Sequence, residues 1–409
     1  MVIKKRKQKK EKAKNNVDID ELRSLLKKDL VEMETNFDYF LTGNPMFDAY
    51  IGSGGLPKYQ LEYFWASSSV GKSTLALQIL AAYLKQVKDI HKNVILYFDT
   101  EESVTVSRMI SLGIDEDIVD RVMVSNPNTI EDVKEIIQRI RAAYSDIELF
   151  IIWDTIAQTP SKEETEGYQK IGMQARSLTS LFRTTRFFES KLTMFALNQY
   201  REDLRENAKW MPKDPPGGNA VKHKSFVTMY ANPKKSELID VQFGRSVTFE
   251  TIKSKVISPK RQMVFEFINT SGYDSILTAI GYFRTLKLIG KKSGGYYFFE
   301  TDKDLSWRIN DLYKFMLTDE SIPKWKIIIN EVFNNLYPDD DSKFIAAAKE
   351  RIFNYYFEND KIHIDRFTSL NKKLAGIDGG SELIDNVSSE KEIEAIIDKV
   401  EKLKEEKVK

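Results

Sequence analysis

Ten consecutive residues, Trp65-Ala66-Ser67-Ser68-Ser69-Val70-Gly71-Lys72-Ser73-Thr74, constrain the fold of this chain more than any other stretch. Small side chains let the backbone N–H groups of a tight loop converge on phosphate oxygens. Lys72 adds a point charge there, and the Ser73 hydroxyl is placed for Mg²⁺. The flanks fit a loop between a strand and a helix. Leu61-Glu62-Tyr63-Phe64-Trp65 reads as a buried strand entering it, and Leu75, Ile79, Leu80 and Leu84 recur at helical spacing beyond it. Ala66 stands where the G-x-x-x-x-G-K-[ST] pattern has its first glycine, and alanine tolerates most of that turn but not φ > 0.

Further apolar runs stop abruptly at polar residues. Residues 93–98 end at Asp99-Thr100-Glu101-Glu102, residues 149–153 at Asp154, and residues 191–197 at Asn198-Gln199. Acids at the carboxyl ends of strands lie where open parallel sheets bind ligands, and Asp154 suits a carboxylate that orders Mg²⁺ hydration beside Ser73. Between these runs the pattern predicts a helical segment near 104–112, a short strand at 121–124 and a helix over 130–144. A polar loop at 159–170 follows, and then a long helix to 190 carrying Arg176, Arg183 and Arg186. Residues 200–218 form a long charged loop closed by Pro215-Pro216-Gly217-Gly218, a length usually reserved for functional or disordered loops.

Past that loop the alternation of strand and helix gives way to hairpins, with strands expected at 225–230, 246–254 and 262–268. A compact α+β unit with a helix at 276–288 and a hairpin at 294–299 comes next, then a helical region. The expected organisation is a basic arm and amphipathic oligomerisation helix (1–40), an α/β phosphate-loop core with a mainly parallel twisted sheet flanked by helices (41–269), a small α+β domain (270–337) and a helical extension (338–409). The arm, residues 4–14, is almost wholly Lys and Arg. Ile19, Leu22, Leu25, Leu26 and Leu30 mark the amphipathic helix, and Ile393, Ile396, Ile397, Val400 and Leu403 a second apolar stripe after a Ser389/Glu392 capping pattern.

With 62 basic against 61 acidic side chains the net charge is +1, so any attraction for nucleic acid has to be local. Zero cysteines exclude disulfides, thiolate metal sites and cysteine nucleophiles. No apolar run reaches the roughly 18 residues of a spanning helix. The chain reads as soluble and cytoplasmic, without a membrane partner.

The order of Gly54-Gly55-Leu56-Pro57, the phosphate loop, Asp99-Thr100-Glu101, Asp154, Asn198-Gln199 and Pro216-Gly217-Gly218-Asn219-Ala220-Val221-Lys222 resembles the RecA recombinase family, most closely phage UvsX-like recombinases, from about residue 41 to 317. The resemblance implies a RecA-like P-loop ATPase that uses ATP and Mg²⁺. Glu101 then activates the attacking water, a role for which Glu102 is the alternative on proximity alone. Gln199 becomes the sensor linking the γ-phosphate to DNA, and loops 159–170 and 200–218 the DNA-binding loops. Arg176, Arg201, Arg205, Lys209, Gly217, Gly218 and Asn219 are the candidate contacts, with Trp210 as a stacking ring. Arg108 occupies the position where bacterial members place an aromatic over adenine, and a guanidinium can stack there. Lys253 and Lys255 read by themselves as lysines blunting an exposed strand edge. The family pattern instead has a matching pair that reaches the γ-phosphate held by the adjacent subunit.

The resemblance implies a helical filament on single-stranded DNA that pairs it with homologous duplex and exchanges strands in recombination and repair. Single-strand-binding and mediator proteins are the expected partners, and the setting is a bacterial host if the chain is viral. Two alternatives share the phosphate chemistry: a RecA-fold hexameric replicative helicase, and a mediator that binds nucleotide without hydrolysing it.

Overall fold

The computed structural model describes residues 37–168, 172–200 and 215–368. The basic arm, the amphipathic helix at 19–30, Arg201, Arg205, Lys209, Trp210 and the stripe at 393–403 lie outside the described residues.

Tyr39–Phe40 (β1) and Leu56–Pro57 (β2) form a small antiparallel ladder. The main sheet contains Leu61–Ala66 (β3), Asn93–Asp99 (β4), Val122–Ser125 (β5), Glu148–Asp154 (β6), Leu192–Gln199 (β7), Val227–Lys234 (β8), Gly244–Ser254 (β9), Gln262–Ile268 (β10) and Gly272–Asp274 (β11). Their spatial order is β11-β10-β9-β8-β3-β7-β6-β4-β5. From β8 to β5 neighbouring strands are parallel. From β8 to β11 they are antiparallel. The expected α/β fold with its later shift to hairpins is therefore one continuous mixed sheet.

Strand periodicity explains why the central runs lack polar alternation. Leu61, Tyr63 and Trp65 of β3 join one core with Leu96, Phe98, Leu149, Ile151 and Trp153, while Phe64 and Ala66 join the other with Ile95, Tyr97, Phe150 and Ile152. Both faces are buried, as parallel sheets require. Helices Ile130–Ala143 and Met173–Thr184 cover the first face. Helices Pro45–Ile51, Lys72–Gln86, Ile322–Leu336 and Ser342–Tyr356 contribute to the second.

Several elements differ from the sequence expectation, among them the helix expected at 276–288, which is Ser275–Thr285, and the strand expected at 225–230, which is Val227–Lys234. The helix expected to reach residue 190 ends at Thr184, so Arg186 lies beyond it. The Thr184 and Thr185 hydroxyls donate back to the carbonyls of Ser180 and Leu181, and Phe187 turns into the core. The polar loop at 159–170 contains the short helix Lys162–Thr165, closed by a capping box between Ser161 and Glu164. The hairpin expected at 294–299 is part of a three-stranded sheet, Ile289–Lys291 (β12), Tyr297–Phe299 (β13) and Asp302–Trp307 (β14).

The Gly-Gly-Leu-Pro turn is held from a distance. Arg351 donates to the carbonyls of Gly54 (3.1 Å) and Ser53 (3.2 Å), and a Cβ on Gly54 (φ 63°) would lie 2.4 Å from the Ala348 carbonyl oxygen. Nearby, Asp48 is fully buried, accepting from the Thr42 amide at 3.0 Å and the Tyr356 hydroxyl at 2.6 Å. Burial pushes its carboxyl from 3.8 up to about 7 against those hydrogen bonds. The folded state therefore binds a proton that the unfolded chain has released, and stability falls as pH rises from about 4 to about 7. The ceiling of this contribution is roughly 4 kcal/mol. Asp48→Asn should flatten that part of the pH–stability profile. If urea titrations at pH 5 and 7.5 give the same loss of unfolding free energy between the two pH values for both proteins, the assignment is contradicted. Among the described residues no helix is long and apolar enough to cross a membrane.

Candidate functional site

The loop after β3 opens at the carboxyl edge of the parallel strands, between β7 and β8. Ala66 is the buried last residue of β3, so the missing first glycine costs nothing: the left-handed residues are Ser69 (φ 59°) and Gly71 (φ 86°). Gly71 also has no room for a side chain, because a Cβ there would lie 2.3 Å from the Phe267 ring. Helix Lys72–Gln86 starts without a side-chain cap, which leaves first-turn N–H donors for a ligand. Lys72 is buried at its first position, and its ammonium donates to the Ser67 carbonyl at 3.0 Å. Burial lowers its pKa, against the raising influence of Asp154 and Glu101.

Asp154 ends β6 with 0% exposure. Its Oδ2 accepts from the Tyr97 hydroxyl at 2.7 Å, while Oδ1 is buried with no hydrogen-bond partner among the described residues. Burial raises the carboxyl to about 6, although the neighbouring Ser73 hydroxyl and the Tyr97 hydroxyl oppose the shift. The Ser67 hydroxyl is likewise buried and unpartnered. Orphaned acceptors beside a buried ammonium and a serine hydroxyl fit a magnesium–phosphate group: Ser73 and Asp154 would hold the ion, and Lys72 the phosphates.

A tight turn presents Glu101. Both Asp99 oxygens accept from the Ser103 amide (3.2 and 3.0 Å) and Oδ2 also from the Val104 amide (2.9 Å), which folds the chain back after β4. Glu101 Oε1 accepts hydrogen bonds from Gln199 Nε2 and, at 3.4 Å, from the Thr155 hydroxyl. Residues from the ends of β4, β6 and β7 thus meet at one oxygen. Glu102 is left-handed (φ 53°), exposed, and bonded to Asn126. Of the two acids, Glu101 is therefore the one that joins Thr155 and Gln199.

Arg108, on helix Val106–Ser111, donates to Thr74 Oγ1 at 3.0 Å and to the Thr270 carbonyl at 2.9 Å. It borders the start of the phosphate-loop helix, as an adenine contact would.

The other candidates lie around the end of β7. Asn198 donates to the Tyr63 hydroxyl (2.8 Å) and to the Pro216 carbonyl (2.9 Å), tying that strand end to the close of the long loop. Gly217 (φ 98°) and Gly218 (φ 72°) lie against helix Met173–Thr184, where Cβ atoms would come 2.7 Å from Leu178 and 3.0 Å from Ala175. Asn219 precedes helix Ala220–Lys224 without capping it. Arg176 is exposed and 3.5 Å from Glu163. Lys253, near the end of β9, is not a bare edge lysine: its ammonium donates to the carbonyls of Lys222 (2.7 Å), His223 (2.6 Å) and Ser225 (2.9 Å). Lys255 donates to the Lys224 carbonyl at 3.2 Å. Burial is the main influence lowering both lysine pKa values, followed by the charge of Lys255 at Lys253 and of Lys224 at Lys255.

Sequence reasoning passed over Thr155, Tyr97 and Arg245. Thr155 directly follows Asp154, and Tyr97 stands two residues before Asp99, so their strand-end positions were the available signal. Arg245 donates to the Ser69 carbonyl of the phosphate loop across 176 residues, and no local pattern marks it.

The family model described as the RecA N-terminal domain matches residues 20–274. Among curated relatives, Protein RecA of Mycoplasma mobile is 27% identical over 301 residues, covering 70% of this chain and 88% of that protein. Protein RecA of Sulfurimonas denitrificans is 31% identical over 284 residues, covering 67% and 78%. Protein RecA of Mesoplasma florum is 30% identical over 281 residues, covering 66% and 79%.

Proposed function

Because this chain belongs to the RecA family, we propose that it is a DNA-dependent ATPase that polymerises on single-stranded DNA, pairs it with homologous duplex and exchanges strands in recombination and repair. The observation that carries the reading is the Gln199–Glu101 hydrogen bond. Gln199 ends β7, and the proposed DNA-binding loop, 200–218, begins at the next residue, so one side chain joins the proposed hydrolytic base to that loop.

The residues divide the work. Residues 66–74 cradle the phosphates, and Lys72 supplies charge. Ser73 and Asp154 are the magnesium residues, and the ion, when bound, neutralises phosphate charge. Glu101 accepts a proton from the attacking water, while Thr155 and Gln199 hold its carboxylate in place. Arg108 borders the base. Arg176, Arg201, Arg205, Lys209, Gly217, Gly218 and Asn219 are assigned to DNA binding, and Lys253 and Lys255 to the nucleotide of the neighbouring subunit. The sequence pattern assigns 41–269 to the ATPase core, 270–337 to a small α+β domain and 338–409 to a helical extension, of which 369–409 lie outside the described residues.

Under this reading DNA changes the Gln199 contact, and Gln199→Ala uncouples the two sites. DNA-stimulated hydrolysis should fall by about 5- to 150-fold, the usual range of allosteric coupling, with nucleotide affinity unchanged. Phosphate release with and without single-stranded DNA checks this, and a variant that keeps full stimulation would remove Gln199 from the relay. The wider function is tested by electron microscopy of protein, ATP analogue and single-stranded DNA, followed by a strand-exchange assay. Helical filaments and exchanged duplex are expected; closed rings that unwind duplex would overturn the recombinase reading.

A further inference from the structure

A phosphate loop works by turning its N–H groups inward, which turns its carbonyls outward. The Ser67 carbonyl accepts from Lys72 within the loop itself, while the carbonyls of Ser69 and Val70 take their donors from the antiparallel side of the sheet. Arg245 on β9 donates Nη1 to the Ser69 carbonyl at 2.7 Å, and Tyr273 on β11 donates its hydroxyl to the Val70 carbonyl at 2.6 Å. Phe267 at the end of β10 lies against Gly71, where a Cβ would touch its ring, and also beneath the Arg245 guanidinium, 5.6 Å from the ring centroid. Arg245 Nη2 is fixed in turn by Asn269 Oδ1 at 2.9 Å.

Ser69 is where this brace acts. It holds φ 59°, a conformation that suits glycine and strains a residue with a Cβ. The charge-assisted hydrogen bond from Arg245 falls on the carbonyl of the strained residue itself and so favours that conformation. Arg245 spends its two terminal nitrogens on Ser69 and Asn269.

Building on the nucleotide-binding reading above, we infer that Arg245 is a positioning residue that keeps the phosphate loop in its anion-binding shape before nucleotide arrives. It acts through the Ser69 peptide and not on the phosphates, so it supports bound substrate and transition state alike. Loss of such uniform binding raises KM and leaves kcat in place.

The test measures equilibrium binding of a fluorescent ATP analogue, together with KM and kcat of DNA-stimulated hydrolysis, in wild type, Arg245→Ala, Arg245→Lys, Ser69→Gly and the Ser69→Gly/Arg245→Ala double variant. Arg245→Ala should weaken binding and raise KM by about tenfold, the effect of a lost charge-assisted hydrogen bond, with kcat nearly unchanged. Arg245→Lys should recover part of the affinity, since a lysine can donate to Ser69 but not also to Asn269. Ser69→Gly removes the strain that the brace opposes, so it should restore most of the affinity lost in Arg245→Ala. A direct phosphate contact predicts no such rescue. A kcat loss at unchanged KM, or a double variant no better than Arg245→Ala, would overturn the positioning role. Unchanged affinity in Arg245→Ala beside a wild type that binds nucleotide would overturn this inference alone, whereas a wild type that fails to bind nucleotide would overturn the phosphate-site reading as well.

Discussion

Glu101→Gln should bind ATP as tightly as the unsubstituted protein and hydrolyse it about 10²–10⁴-fold more slowly, the contribution typical of a positioned general base. The amide keeps the size of the carboxylate and an oxygen that can accept from Gln199 and Thr155, so the junction of β4, β6 and β7 stays intact while the base is lost. Lys72→Ala makes the complementary loss. It removes the buried ammonium at the phosphate loop, and nucleotide affinity should fall together with turnover. Separate measurements of binding and single-turnover hydrolysis distinguish the two. A Glu101→Gln protein that retains more than about a tenth of the wild-type rate would transfer the role of base elsewhere, with exposed Glu102 the first place to look.

The second large effect belongs to the lysine pair. Replacing Lys253 and Lys255 together by alanine should lower DNA-stimulated hydrolysis by about 10²–10³-fold, the usual cost of losing a preorganised transition-state donor. In the isolated chain Lys253 rests on three carbonyls at the end of helix Ala220–Lys224, which follows the long loop closed by Gly217 and Gly218. To act on a neighbour's phosphate it has to exchange those carbonyls for the anion. Mixing provides the decisive control. The double lysine variant keeps its own phosphate loop, and Lys72→Ala keeps its lysine pair. Each alone should be inactive, while mixed filaments contain some interfaces with both halves intact and should regain part of the activity. No recovery in filaments shown to contain both proteins would leave the lysines as a cap on the helix they already touch.

How much of this was legible in the sequence depended on the range of the interactions. The apolar runs that became β3, β4, β6 and β7 announced themselves because parallel strands buried on both faces need unbroken hydrophobic stretches. The polar residues at their ends, Glu101, Asp154 and Gln199, marked the carboxyl edge of the parallel strands. The loop around Lys72 was readable for the same reason, since strand, loop and helix are contiguous. Contacts made across the fold left no comparable trace. Arg245 reaches Ser69 over 176 residues, and Arg351 reaches Gly54 over 297. Each looks like an ordinary basic residue until the sheet and the later helices bring it home. The premature end of helix Met173–Thr184 was harder still, because threonines that bond back to their own helix carbonyls look much like other helical residues in a one-dimensional pattern. Ala66 shows the reverse case. A departure from the glycine pattern looked costly, yet the strand simply runs one residue further and places the left-handed turns at Ser69 and Gly71.

The central claim is that DNA completes a nucleotide site already built from the ends of β3, β4, β6 and β7. It is tested most directly by steady-state phosphate release from ATP and Mg²⁺ as single-stranded DNA is titrated into the wild-type protein. The account predicts a low rate without DNA and a saturable rise with it, while nucleotide affinity measured before DNA is added is already close to its final value. A rate that is the same with and without DNA would contradict it.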